Sequence, residues 1–116
     1  MAESLRLGRI VWAEVADARG HRKMRPAIIV TPSEEIDPSG WLNLVAVTTR
    51  VPDPLPTDHV LLPWQAQGHS RTGLNRKCAA VCTWVVRIRA SDVKGIAGVL
   101  PGAVILKVLE RIATGD

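Results

Sequence analysis

The chain has 116 residues, of which 47% are hydrophobic and 22% charged, with a formal net charge of +4. That length supports one compact core and is too short for two. The opening MAESLRLGR carries charge and no apolar stretch, and no apolar run nears the roughly 20 residues that span a bilayer, so one cytoplasmic domain with no membrane attachment is expected.

In chain order, GRIVWAEVA (residues 8–16) partly alternates, with Ile10 and Trp12 on one face and Glu14 beyond them, as a half-exposed strand does. Next, HRKMRPAIIVTP crowds His21, Arg22, Lys23 and Arg25 against Pro26 and the apolar run AIIVT. His21, Arg22 and Lys23 read as a flexible loop, Arg25 as the residue that Pro26 fixes at the mouth of the strand, and the apolar part as that strand. LNLVAVTT (42–49) is also rich in β-branched residues and apolar on both faces, so both runs are expected to be central strands covered on two sides.

The prolines of VPDPLP predict a stiff extended connector within the domain. HVLLP, KCAAVC and TWVVRIR supply three more strands, the last with Trp84, Val86 and Ile88 on one face and Val85, Arg87 and Arg89 on the other. Turn chemistry separates these runs at 17–20, 32–40 and in QGHSRTG.

The period changes in LPGAVILKVLERIATG. Pro101 marks the first turn of a helix and Gly115 its stop, with Ile105, Val108, Leu109 and Ile112 along one face. Val104 and Leu106 widen that face, which is either absorbed fully by the sheet beneath it or left in part for a second subunit. Six short strands and a terminal helix predict a mainly β fold, a small twisted SH3-like barrel occupying the whole chain, 1–116, as one domain.

Cys78 and Cys82 lie on the same predicted strand, where their Cα atoms would stand about 13 Å apart, against the roughly 7 Å a disulfide allows. His21, His59 and His69 are scattered and complete no zinc spacing. Two buried thiols, no metal and no cofactor are therefore expected.

Charge is distributed in blocks. Between Asp17 and Glu34 stand Arg19, Arg22, Lys23 and Arg25 with no acid; between Asp58 and Asp92 stand Arg71, Arg76, Lys77, Arg87 and Arg89, again with none. Solvated loop charge and a nucleic-acid groove both fit. Of the four tryptophans, Trp41 and Trp64 read as loop residues able to stack on bases, and Trp12 and Trp84 as core.

Taken together and in order, GRIVWAEV, ARGHRK, RPAIIV, a strand ending in VTT, TGLNRKCAAVC and a Leu-Pro helix resemble the MazF/PemK/Kid family of toxins from prokaryotic toxin–antitoxin pairs. The resemblance covers about residues 8–112. It implies a homodimeric barrel that cuts single-stranded RNA without a metal, leaving 2′,3′-cyclic phosphate and 5′-hydroxyl ends, and that pairs with a cognate antitoxin protein. Arg25 matches the family's catalytic arginine before the proline, and Thr48 the threonine at the end of the third strand. A fixed guanidinium suits charge developing on phosphorus, and a hydroxyl adds one donor.

His21 and His69 are the candidates for proton transfer. Arg22, Lys23, Arg50, Arg76, Lys77 and Arg87 are the expected phosphate contacts. One departure from the family pattern stands out. Several relatives carry Asp-Gln after the fifth strand's cysteine, where this chain has Thr83 and Trp84, with the following arginine one place late at Arg87. A one-residue shift reverses the facing of a strand unless a bulge corrects it. The alternatives are an inactive RNA- or peptide-binding module on the same barrel and an interaction subunit whose groove receives the antitoxin's tail.

Overall fold

The first strand partly alternates between buried and exposed positions, whereas the second runs from exposed residues at its start to buried ones at its end. In the computed structural model, which describes residues 5–114, β1 (Arg9–Ala16) and β2 (Arg22–Ile29) pair antiparallel along their whole length, from Ala16 opposite Arg22 to Ile10 opposite Ile28. The connecting turn is tight. The Asp17 carboxylate accepts the backbone N–H groups of Arg19 and His21, both at 2.9 Å, and Gly20 takes a left-handed conformation with φ of +82°. Arg22 and Lys23 thus belong to a strand, not to the flexible loop expected of them; their side chains are exposed, so no apolar pattern betrays the strand beneath.

Four further strands complete an antiparallel sheet. β3 (Trp41–Thr48) pairs with only the second half of β2, from Ala27 opposite Ala46 to Ile29 opposite Leu44. β5 (Ala79–Arg89) lies along the other side of β3, β4 (His59–Leu61) adds to β5, and β6 (Gly95–Val99) pairs with β1, giving the order β4-β5-β3-β2-β1-β6. KCAAVC and TWVVRIR are therefore one strand, and the sixth strand is a segment the sequence pattern missed. Trp41 opens β3 instead of lying in a loop.

The fused β5 carries an irregularity. Val45 faces Val85 and Val47 faces Ala80, so the single residue Ala46 of β3 stands against Val81–Trp84 of β5. This bulge changes which face the second half of β5 presents.

Both faces of the central strands are covered, as their apolar runs predict. Ile10, Ile28, Val45 and Val47 belong to one core, which Leu62, Leu74, Cys78, Leu100 and Val108 complete. Val11, Ala13, Ala27, Ile29, Leu42 and Leu44 belong to the other, with Ala90 and Val93.

The helix α1 (Gly102–Thr114) starts directly after Pro101, whose carbonyl accepts the Val104 and Ile105 N–H groups. Val104, Ile105, Val108 and Ile112 pack against the first core, whereas Leu106 is 66% exposed and does not widen the buried face. Gly115, the expected stop, lies outside the described residues. Arg111 ties the last turn to the Thr57 carbonyl at 2.8 Å. Among the described residues no helix is long and apolar enough to cross a membrane.

Strand pairing alone does not close the sheet into a barrel: β4 and β6 are its edges. The segment from Leu62 to Cys78 bridges them, with Leu62 N–H donating to the Cys78 carbonyl at 3.2 Å and Val99 N–H, on β6, donating to the Arg71 carbonyl at 2.9 Å. This approach requires glycine at 98, because a Cβ there would overlap the Arg71 carbonyl oxygen and the Thr72 backbone. Gly98→Ala is expected to destabilise the fold by about 1–3 kcal/mol, the usual cost of overpacking. Urea denaturation monitored by circular dichroism checks this; an unchanged midpoint would mean that the bridging segment moves away freely.

Candidate active site

The first half of β2 has a partner in β1 but none in β3, and a cleft opens there. It has a volume of about 300 Å³ and is lined by Trp12, Lys23, Met24, Arg25 and Pro26 on one side, by Val47 and Thr49 at the end of β3, and by residues 73–76 with Cys78. Lys23, Arg25 and Arg76 are its charged residues, and no carboxylate stands among the described residues that line it. An acid-free concave surface with three cations suits a polyanion. Apolar surface lies beside them: Trp12 is 39% and Met24 45% exposed, so Trp12 is cleft wall and not core.

Arg25 is held from one side. Its guanidinium carbon lies 5.1 Å from the centroid of the Trp84 ring, within cation–π range. Its Nε is buried with no hydrogen-bond partner among the described residues. Trp84 is half-buried, in contact with the arginine and not deep in the core, and its indole N–H donates to the Ala16 carbonyl at 3.3 Å.

The Thr83-Trp84 pair sits in the β5 bulge, which Asp58 pins down. The Asp58 carbonyl accepts the Cys82 N–H at 2.8 Å, and its carboxylate accepts the Thr83 hydroxyl at 2.7 Å and meets His59 Nδ1 at 2.7 Å. The Thr83 hydrogen bond, and then His59, hold the Asp58 carboxyl below its ordinary value. Sequence reasoning missed Asp58, because its partner Thr83 is 25 residues away and no local pattern links them.

The other expected site residues are distributed as follows. Thr48 ends β3 opposite Ala79, its hydroxyl accepting the Arg50 N–H at 3.1 Å, and its neighbour Thr49 is the threonine that lines the cleft. Arg50 and Lys77 are exposed outside the cleft. His21 is exposed, 3.7 Å from the Asp17 carboxylate, and does not line the cleft. His69 Nδ1 accepts the Arg71 and Thr72 N–H groups at 3.1 and 3.2 Å, which makes it a turn-forming residue. Trp64, in a loop, is 43% exposed but outside the cleft.

Arg22 and Arg87 line a separate depression with Trp41, Lys94, Glu14 and Asp92. Trp41 carries both Arg87 and Arg89 over its ring, at 5.0 and 4.7 Å. The two basic blocks therefore meet at two separate places, Lys23 and Arg25 with Arg76 in the cleft and Arg22 with Arg87 in the depression. Lys23 and Arg25 alternate along β2 with Arg22, and period two sends neighbours to opposite faces.

Residues 6–114 match the family described as PemK-like, MazF-like toxin of type II toxin-antitoxin system. The chain belongs to that family. Comparison with curated proteins finds no match. Among solved structures, the fold is similar to MazF (Form-I) from Deinococcus radiodurans, with a TM-score of 0.74, 16% identity, and coverage of 95% of this chain and 94% of that one. It is also similar to an endoribonuclease from Mycobacterial species, with a TM-score of 0.72 and 14% identity over 96% of this chain and 89% of that one. A structure described as an endoribonuclease in complex with its cognate antitoxin from Mycobacterial species gives a TM-score of 0.71 and 14% identity, covering 96% of this chain and 93% of the other. At these identities the likeness establishes the MazF-type fold.

The described residues include no group of three His, Cys, Asp or Glu side chains placed to hold a metal ion. Cys78 and Cys82 are free and buried, and burial pushes the Cys78 thiol up to about 11 from 9.0. Although Cys78 lines the cleft, it is a neutral thiol near pH 7 and no nucleophile. A rise of about two pKa units leaves a hundredfold less thiolate, so Cys78 in the native protein at pH 8 is expected to react with a soluble disulfide reagent at least ~100-fold more slowly than after unfolding. Release of the chromophore over time measures this, and fast native labelling at Cys78 would contradict it.

Proposed function

We propose that this chain is a metal-independent endoribonuclease toxin that cuts single-stranded messenger RNA in the cytoplasm at the Arg25 cleft. The observation that carries the reading is an arginine on a paired strand, in a concave surface that it shares with Lys23 and Arg76 and that no acid lines among the described residues. Membership of a toxin family and a fold shared with an endoribonuclease support it.

In the reaction, the 2′-hydroxyl oxygen attacks the adjacent phosphorus and loses its proton, and the bond from phosphorus to the 5′ oxygen breaks. The 5′ oxygen leaves as a hydroxyl after taking up a proton, and the phosphate remains as a 2′,3′-cyclic diester. Negative charge peaks on the phosphoryl oxygens at the pentacoordinate stage, where a planar guanidinium offers two directed donors. Lys23 and Arg76, on either side of the cleft, neutralise flanking phosphates. Thr48 keeps the role that the resemblance gives it, a hydroxyl at the end of β3, and Thr49 is a second candidate because it lines the cleft. His21, on the turn before β2, is the proposed proton carrier, reaching the RNA from outside the cleft. Arg22, Arg50, Lys77 and Arg87 serve as outer contacts along a longer strand.

The chain is further proposed to bind a cognate antitoxin and to act as a homodimer, its exposed Leu106 face covered by the second copy. Light scattering at micromolar concentration should then give about twice the chain mass of 12.6 kDa, and a monomer alone would count against the dimer.

A second reading, RNA binding without cleavage, is favoured by Thr83 and Trp84, neither of which can take up a proton as an aspartate does. Mixed-sequence RNA incubated with the protein in EDTA separates the two. The enzyme leaves discrete fragments whose 5′ ends accept phosphate directly from a kinase; the module leaves the RNA intact. Arg25→Lys keeps the charge but loses the fork, and should lower the cleavage rate by a hundredfold or more, matching the roughly 2.7–4 kcal/mol lost with a comparable donor elsewhere. Equal cleavage by a folded Arg25→Lys protein would refute the role, and alanine at Thr48 and at Thr49 shows which hydroxyl contributes.

A further inference from the structure

The bulge in β5 places an indole, not a carboxylate, against the cleft arginine. We propose that Trp84 is a positioning residue for Arg25, fixing the plane of its guanidinium by cation–π stacking without occupying any of its N–H donors. The proposal rests on the catalytic reading of Arg25 and adds to it the residue that orients the group.

Three observations converge on it. The Arg25 guanidinium carbon is 5.1 Å from the Trp84 ring centroid. The ring is fixed at both ends, because its own N–H is bonded to Ala16 and the two residues before it are bonded to Asp58. Arg25 has no ion pair and its Nε no acceptor, among the described residues, so stacking is the contact that restrains the head group.

The choice of an aromatic partner has a chemical consequence. A carboxylate against Arg25 would take two of its N–H donors and cancel its charge, and an incoming phosphate would have to displace it. The face of an indole attracts the cation through its quadrupole and occupies no N–H group. A long, flexible side chain is thereby held in one orientation with its charge intact, which is what a preorganised transition-state contact needs. Thr83 and Trp84 then have distinct tasks: Thr83 anchors the bulge to Asp58, and Trp84 orients the arginine.

The test compares Trp84→Phe, which keeps a π face, with Trp84→Leu, which keeps apolar bulk alone; Trp84→Met replaces the leucine variant if that one fails to fold. Steady-state cleavage of RNA in EDTA and the exchange rate of the Arg25 Nε–H, read by nitrogen-15 NMR on the RNA-free protein, are measured for each. The leucine variant should lose about tenfold in kcat with KM nearly unchanged, and the phenylalanine variant should recover most of it. The Arg25 Nε–H should exchange slowly in the wild type and the phenylalanine variant and quickly in the leucine variant. Equal kcat losses in both variants, or exchange rates that do not follow aromaticity, would overturn the proposal. If the wild type cuts no RNA, the catalytic reading of Arg25 fails, and the exchange rates still decide whether Trp84 holds it.

Discussion

Strand β2 is hydrogen-bonded along its whole length to β1 but to β3 only from Ala27 to Ile29, and the cleft exists because of that half-finished pairing. The paired half is buried and rigid. The unpaired half keeps its strand geometry through β1, so Lys23 and Arg25 are set by a backbone ladder although one side of the strand is open. A loop would carry the same charges with far more conformational freedom to lose on binding. Pro26 fits this arrangement, since the ring fixes φ and the missing N–H costs nothing where β3 is not there to accept it.

The same geometry sorts the charge. Because side chains alternate across a strand, Arg25 faces the acid-free cleft and Arg22 the depression that Glu14 and Asp92 share. Net charge is therefore a poor guide to where a polyanion would sit. The local excess around Lys23, Arg25 and Arg76 matters, since interactions across more than about 10 Å are screened at ordinary salt.

What the sequence made legible follows from how local each signal is. β1, the buried half of β2, β3 and the helix were readable because their apolar residues repeat at the period of the element, and Pro101 marks the helix start within one residue. β6 was missed because GIAGV has two glycines and no alternation, and its strand character comes from its pairing with β1. β5 was divided because a bulge resembles a boundary when its partner strand is unknown. Trp12 was read as core because an apolar residue on a strand face does not reveal whether that face is covered; here the missing β3 partner leaves it as cleft wall. Arg25 was singled out through its place in a family pattern. Its stacking on Trp84 and the Asp58 anchor join residues far apart in the chain, and only the folded register brings them together.

The segment from Leu62 to Cys78 has a further consequence. An open sheet ends in rows of unpaired N–H and C=O groups, which invite strands from other chains. Here the chain's own backbone takes up the Val99 N–H on β6, while a carbonyl beside β4 is claimed by Arg111 of the helix. The crossing that lets backbone touch backbone at Gly98 is therefore also a guard against polymerisation.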